Sequence, residues 1–328
     1  MWSYRARSSL LWSICMKKFS YKLNYQKLFG KNVFAKNLLS QWSFILLVSF
    51  LLLTSGCISS TPDTRDSEDL IVACTIPPQE EFIRAIAGES NVSVLVMVPP
   101  GASPHTFEPT PSQIAELEHA DLYVALGSGV EFENRWIERI HKLYPDLKVV
   151  NSSRTIPLLS GSGHGDEEKG TDPHVWMSLT NAATIVRETC DGMVEIEPGR
   201  KDLYEQNRDN YLARLNQVDD SIHDSLQDLS SRTILVYHPA FGYFCRDYNL
   251  TQMAAEEAGH EPSAQGLADL ITKAKTLGIT FIFAEPETST RQAETLAKEL
   301  NGTVILISPL AGNYLENMQE IAQKIAGH

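Results

Sequence analysis

Residues 70–97 read LIVACTIPPQEEFIRAIAGESNVSVLVM. Two short apolar runs, LIVACT (70–75) and VSVLVM (92–97), enclose EEFIRAIAGE (80–89), whose apolar residues fall at helical spacing. Short, nearly continuous apolar runs are the pattern of strands buried on both faces. A strand, a helix and a second strand in succession give parallel pairing with the helix on the sheet. Working outward, the unit recurs: PSQIAELEHA, DLYVAL (121–126), ENRWIERIHKLY and LKVVN (147–151) continue it. TILVYH (233–238), NLTQMAAE (249–256), TFIFAE (280–285) and TVILIS (303–308) repeat it, separated and closed by helical stretches. The expected fold class is α/β, with two lobes that each carry a mostly parallel sheet flanked by helices, joined by one long backbone helix.

That helix is read from about Gly199 to Leu229, where Leu212, Leu215, Val218, Ile222, Leu226 and Leu229 recur in steps of three and four with no proline. Thirty residues of helix span about 45 Å, the length of a domain. The expected organisation is 70–178 as amino-terminal lobe, 179–230 as linking long helix and 231–328 as carboxyl-terminal lobe.

Residues 1–56 hold 8 of the 28 Lys and Arg and none of the 41 Asp and Glu, so the remainder carries 20 basic against 41 acidic groups, near −21. Such an excess argues against a nucleic acid partner. The apolar run FILLVSFLLL (44–53) follows basic sequence and is too short to span a bilayer, which suits a signal-peptide core in residues 1–56. The succeeding Thr54-Ser55-Gly56-Cys57 resembles a lipobox, making Cys57 the expected lipid anchor and the polar residues 57–69 a flexible tether. Met16 is an alternative start. The other cysteines show no framework of spacings, and a Cys190–Cys245 bridge stays open.

Three histidines lie at or just beyond carboxyl ends of predicted strands, or in a loop of that kind: His105 in PPGASPHTFEPTPSQ, His174 in TDPHVWMS and His238 at the end of TILVYH. A single histidine is more often a hydrogen-bonded structural residue than a ligand. The shared context changes that reading, because open α/β sheets place their ligand crevice at those strand ends. His119, His141 and His223 fall in charged helical surroundings, His260 in a polar loop, and His164 in the acidic segment GSGHGDEEKG.

PHTFEPTPSQ, DPHVWMS, HPAFGYFCRDYNL, EPSAQGLADL, FAEPETS and SPLAGNYLENM, in this order, resemble the zinc/manganese solute-binding lipoproteins of ABC transporters, over about residues 69–328. The resemblance implies two lobes bridged by one long helix, a metal ion between them, and His105, His174 and His238 as its ligands. It further implies an ABC permease with its ATPase as partners, an exported chain anchored to the outer face of the cytoplasmic membrane, and a monomer that does no chemistry on its ion. The pattern's usual carboxylate ligand near the chain end is replaced by Ser308. Water or Glu285, at the end of TFIFAE, is then the candidate for the fourth position. Cys245 lies seven residues from His238, about 10 Å along a helix axis, and is too distant to share the ion.

Neutral imidazoles suit zinc, whereas manganese prefers oxygen donors. Zn2+ is therefore the expected ligand and Mn2+ the alternative within the same family. A three-histidine zinc site with an open position is also how catalytic zinc is held, so a metalloenzyme is the competing class.

Overall fold

The computed structural model describes residues 69–90, 92–161, 170–256, 263–287 and 290–328. The signal segment, Cys57, most of the tether, His164 and His260 lie outside the described residues.

The amino-terminal sheet is β1 (Leu70–Cys74), β2 (Val92–Val96), β3 (Leu122–Ala125) and β4 (Lys148–Asn151), in the order β2-β1-β3-β4. The carboxyl-terminal sheet is β5 (Thr233–Val236), β6 (Thr251–Ala254), β7 (Phe281–Ala284) and β8 (Thr303–Leu306), in the order β6-β5-β7-β8. Every pairing is parallel. The order reverses between β1 and β3, and again between β5 and β7, giving each sheet a crevice beyond its strands' carboxyl ends. Central strands β1, β3, β5 and β7 are almost wholly buried, while edge strands β2, β4, β6 and β8 are half-exposed.

The helices are α1 (Pro77–Ala87), α2 (Pro111–Glu116), α3 (Glu131–Leu143), α4 (Leu179–Ile196), α5 (Lys201–Ser225), α6 (Gly242–Asp247), α7 (Ala264–Thr276), α8 (Thr290–Glu299) and α9 (Tyr314–Ala326). None among the described residues is long and apolar enough to cross a membrane. Proline opens α1 and α2, where its missing N–H is no loss, and Thr110 caps α2 by accepting from Gln113 N–H.

The long helix expected from about Gly199 to Leu229 is α5, and the linking segment 179–230 carries a second helix before it. The segment holds α4 and α5, separated by a 3-10 turn at Pro198–Arg200, where proline can neither donate nor continue a helix. The longer, α5, has 25 residues and is about 37 Å long. Leu226 and Leu229 stay packed on the core beyond its end, because apolar spacing reports burial and not helix as such. Helix α5 touches α1, α4 and α9. Its Tyr211 hydroxyl donates to Glu81 Oε1 at 2.7 Å, Asn207 Nδ2 donates to the Ile86 carbonyl at 3.0 Å, and Tyr248, beyond α6, donates to Asp219 Oδ1 at 2.6 Å.

One apolar core runs from the first sheet through α4 and α5 to one face of the second, and a smaller one covers the other face of the second sheet. A fully buried Leu, Ile or Phe contributes about 1.5–3 kcal/mol, so the continuous core holds both sheets in place. Cys74, Cys190 and Cys245 are buried free thiols, which resolves the open pairing.

Candidate metal centre

The chain leaves β2 through Met97 and Val98, whose N–H groups still bond the Cys74 and Thr75 carbonyls. It turns at Gly101, whose φ of +82° suits glycine. His105 follows in a turn closed by Thr106 and Phe107 N–H bonds to the Ser103 carbonyl. Helix α3 holds this turn from outside: Phe132 N–H donates to the Pro104 carbonyl at 3.1 Å, and Arg135 donates to the carbonyls of His105 (3.3 Å) and Phe107 (3.2 Å). The His105 side chain remains 22% exposed.

His174 is buried before a 3-10 turn at Val175–Met177. Its N–H donates to Asp172 Oδ1 at 3.0 Å, a local turn made by an Asp-Pro-His sequence. The segment is fastened by Trp176 Nε1 donating to the Pro309 carbonyl at 2.7 Å and Tyr314 donating to the Trp176 carbonyl at 2.7 Å. His238 lies two residues beyond β5, buried, in the crevice of the second sheet.

The three imidazoles converge. Nε2 of His174 lies 3.2 Å from Nε2 of His105 and 3.3 Å from Nε2 of His238, and no pair of the candidate donor atoms is more than 4.8 Å apart. Each Nδ1 meets its own carboxylate: His105 with Glu131 Oε2 at 2.6 Å, His174 with Asp172 Oδ1 at 2.8 Å, and His238 with Glu256 Oε2 at 2.7 Å. A carboxylate on Nδ1 keeps the proton there and leaves the Nε2 lone pair free. Three such lone pairs facing one another repel unless a cation lies among them. A tetrahedral zinc ion about 2.0–2.1 Å from each nitrogen sets ligand atoms about 3.3–3.4 Å apart, close to the two shortest separations.

Burial, and then the neighbouring His238 and His105, lower the His174 pKa to about 4 against the opposing pull of Asp172. His174 is thus neutral near pH 7, as a ligand must be. Burial tends to raise the Glu131 carboxyl, but its hydrogen bond and charge interaction with His105 outweigh this and lower it.

Glu285 does not join this group. Glu285 is buried beyond β7, and burial, then the charges of Glu287 and Glu256, push its carboxyl well above the usual range. The Ser308 hydroxyl donates to Glu287 and accepts from Leu310 N–H at 3.0 Å, so it is committed locally. Burial and Asp172 push the Cys245 thiol up to about 12, and it too is outside the group. The residues that sequence reasoning missed are Glu131, Asp172 and Glu256. Only Asp172, two positions before its histidine in TDPH, carried a local signal.

The family model of the zinc-uptake complex component A, periplasmic, matches residues 72–328. The high-affinity zinc uptake system protein ZnuA of Bacillus subtilis strain 168 is 32% identical over 289 residues, covering 83% of this chain and 89% of that protein. The zinc-binding protein AdcA of Streptococcus pyogenes serotype M1 is 29% identical over 263 residues, 74% of this chain, and the chain spans only 50% of that relative's length. A crystal structure of a ZnuA deletion mutant with zinc bound matches with a TM-score of 0.74 at 37% identity, covering 79% of this chain and 97% of that one. Fold and sequence agree, and the chain belongs to the zinc-uptake complex component A family, solute-binding parts of metal transport systems and not enzymes.

Proposed function

We propose that this chain captures one Zn2+ between its lobes through Nε2 of His105, His174 and His238 and delivers it to an ABC permease driven by its ATPase. The observation that carries the reading is the convergence of three Nε2 atoms, each opposed across its ring by a carboxylate. Zinc suits an all-imidazole donor set better than manganese does. With Glu285 outside the group and the Ser308 hydroxyl engaged by Glu287 and Leu310, the fourth coordination position falls to solvent on the side of the partly exposed His105. Asp172 and Glu256 hold the two buried ligands; His105 and His174 come from the amino-terminal lobe and His238 from the second sheet, so ion capture fastens one lobe to the other.

Cys57, lipidated at the TSGC motif, tethers the protein to the outer face of the cytoplasmic membrane as a monomer. The acidic body, near −21, draws cations toward its surface. The test is a zinc titration of metal-free protein followed by thermal denaturation. Free zinc at a hundredfold excess over Kd adds about 2.7 kcal/mol, which raises Tm by about 5–10 °C in a chain this size. His105→Ala with His238→Ala removes that gain; a double variant that keeps it contradicts the assignment.

A further inference from the structure

Helix α6 begins directly against Asp172. A Cβ placed on Gly242 would lie 2.5 Å from Asp172 Oδ2, with Asp172 Cγ at 3.7 Å and Leu159 Cδ1 at 3.9 Å. The other oxygen of that carboxylate, Oδ1, accepts from the His174 backbone and faces His174 Nδ1. The Asp172 main chain cannot retreat easily. Its carbonyl accepts from the Tyr243 hydroxyl at 3.1 Å, and its N–H donates to the Leu159 carbonyl at 2.9 Å. Tyr243 is itself buried and also accepts from Leu159 N–H at 2.9 Å. What can yield to an added methyl is the end of the Asp172 side chain.

The backbone gives no other reason for glycine here. Gly242 is not among the residues with positive φ, and it is the first residue of a helix, where alanine is the better helix former. We infer that Gly242 is a positioning residue for the metal site: its missing Cβ leaves room for the Asp172 rotamer that keeps the His174 proton on Nδ1 and points Nε2 at the other two imidazoles. The inference rests on the three-histidine zinc reading above. It separates two properties that usually move together, because Gly242→Ala displaces a flexible carboxylate at little structural cost while loosening a ligand.

The experiment compares full-length wild type, Gly242→Ala, Asp172→Asn, the double variant Gly242→Ala/Asp172→Asn and His174→Ala. Zinc Kd is read by chelator competition, the thermal midpoint on metal-free protein, and the His174 ring tautomer by nitrogen NMR. Gly242→Ala is expected to bind zinc about 10–100-fold more weakly, the range for loss of a partner that orients a ligand. Its metal-free midpoint stays unchanged or rises, and its His174 ring leaves the single Nδ1–H form. In the Asp172→Asn background the same substitution changes Kd no further, since both act through one group. Wild-type Kd in Gly242→Ala, additive effects in the double variant, or weakening that tracks a lowered midpoint or failure to fold with an unchanged tautomer each overturn the inference. His174→Ala separates the two levels: wild-type affinity there overturns the site itself and the inference with it, whereas lost affinity there beside an unaffected Gly242→Ala overturns only the role of Gly242.

Discussion

The two sheets share one strand order and one register, yet differ where strands give way to loops. Beyond β1 and β2, Met97 and Val98 N–H groups bond the Cys74 and Thr75 carbonyls; beyond β5 and β6, Ala255 and Glu256 bond Val236 and Tyr237 in the same way. Ile76 therefore corresponds to His238, and Val98 to Glu256. By the matching bonds of Ser152 to Ala125 and Ile307 to Ala284, Leu126 corresponds to Glu285. Ile76, Val98 and Leu126 are fully buried. One crevice is sealed with apolar side chains and the other carries an imidazole and two carboxylates on the same frame, so the function lies in strand-end side chains and not in topology. The amino-terminal sheet supplies its histidine seven positions past Val98, on the turn held by α3.

The sealed crevice has its own carboxylate, used for structure. Glu133 is buried and accepts from Leu126 N–H (2.7 Å), Gly127 N–H (2.7 Å) and the Thr75 hydroxyl. Its carboxyl is raised by burial against these bonds. It locks α3 to the ends of β1 and β3, and α3 in turn presents Glu131 to His105.

Making the second crevice copy the first gives the largest expected effect. His238→Ile with Glu256→Val abolishes stoichiometric zinc binding in equilibrium dialysis. It also leaves the metal-free protein as stable or up to about 4 kcal/mol more stable, since buried polar pairs are often surpassed by packed apolar ones. Destabilisation without loss of zinc would break the comparison. Next comes Glu133→Ala, which leaves buried N–H groups of Leu126 and Gly127 without their acceptor and costs about 2–4 kcal/mol by denaturant unfolding. An exposed pair on the same helix, Glu138 with Lys142, is expected to change stability far less by the same measurement, since water screens it.

A smaller effect, read as a pH profile, concerns the Leu126 and Glu285 positions. The Glu285 carboxyl is raised above 4.5 in the folded chain, so the native state holds its proton over a pH range where the unfolded chain has lost it. Stability from this group is present below pH 4.5 and is lost as pH rises toward the folded value. Glu285→Gln removes the loss, so unfolding free energies of metal-free variant and wild type diverge in the variant's favour as pH rises from 4.5 toward neutrality. Parallel profiles would show that Glu285 is not held protonated.

Much of this organisation was legible in local pattern. Apolar runs marked the central strands β1, β3, β5 and β7 most plainly, because a parallel sheet covered on both faces demands them, and the strand-end context singled out His105, His174 and His238. What was not legible depends on long-range approach. Glu131 is 26 residues from His105 and opens an amphipathic helix like any other acidic first turn; Glu256 is 18 residues from His238 and meets it only because β6 pairs with β5. The start of α5 just after Pro198-Gly199 was legible, but the apolar spacing that continued past Ser225 marked packing on the core and overstated the helix's end by about four residues.

In the proposed site three imidazoles and no side-chain sulfur hold one zinc ion. X-ray absorption at the zinc edge on the one-to-one complex tests it most directly. The expected spectrum shows a shell of nitrogen and oxygen atoms at about 2.0–2.1 Å with outer scattering from three imidazole rings. A sulfur scatterer at about 2.3 Å, or scattering from fewer than three imidazoles, would contradict it.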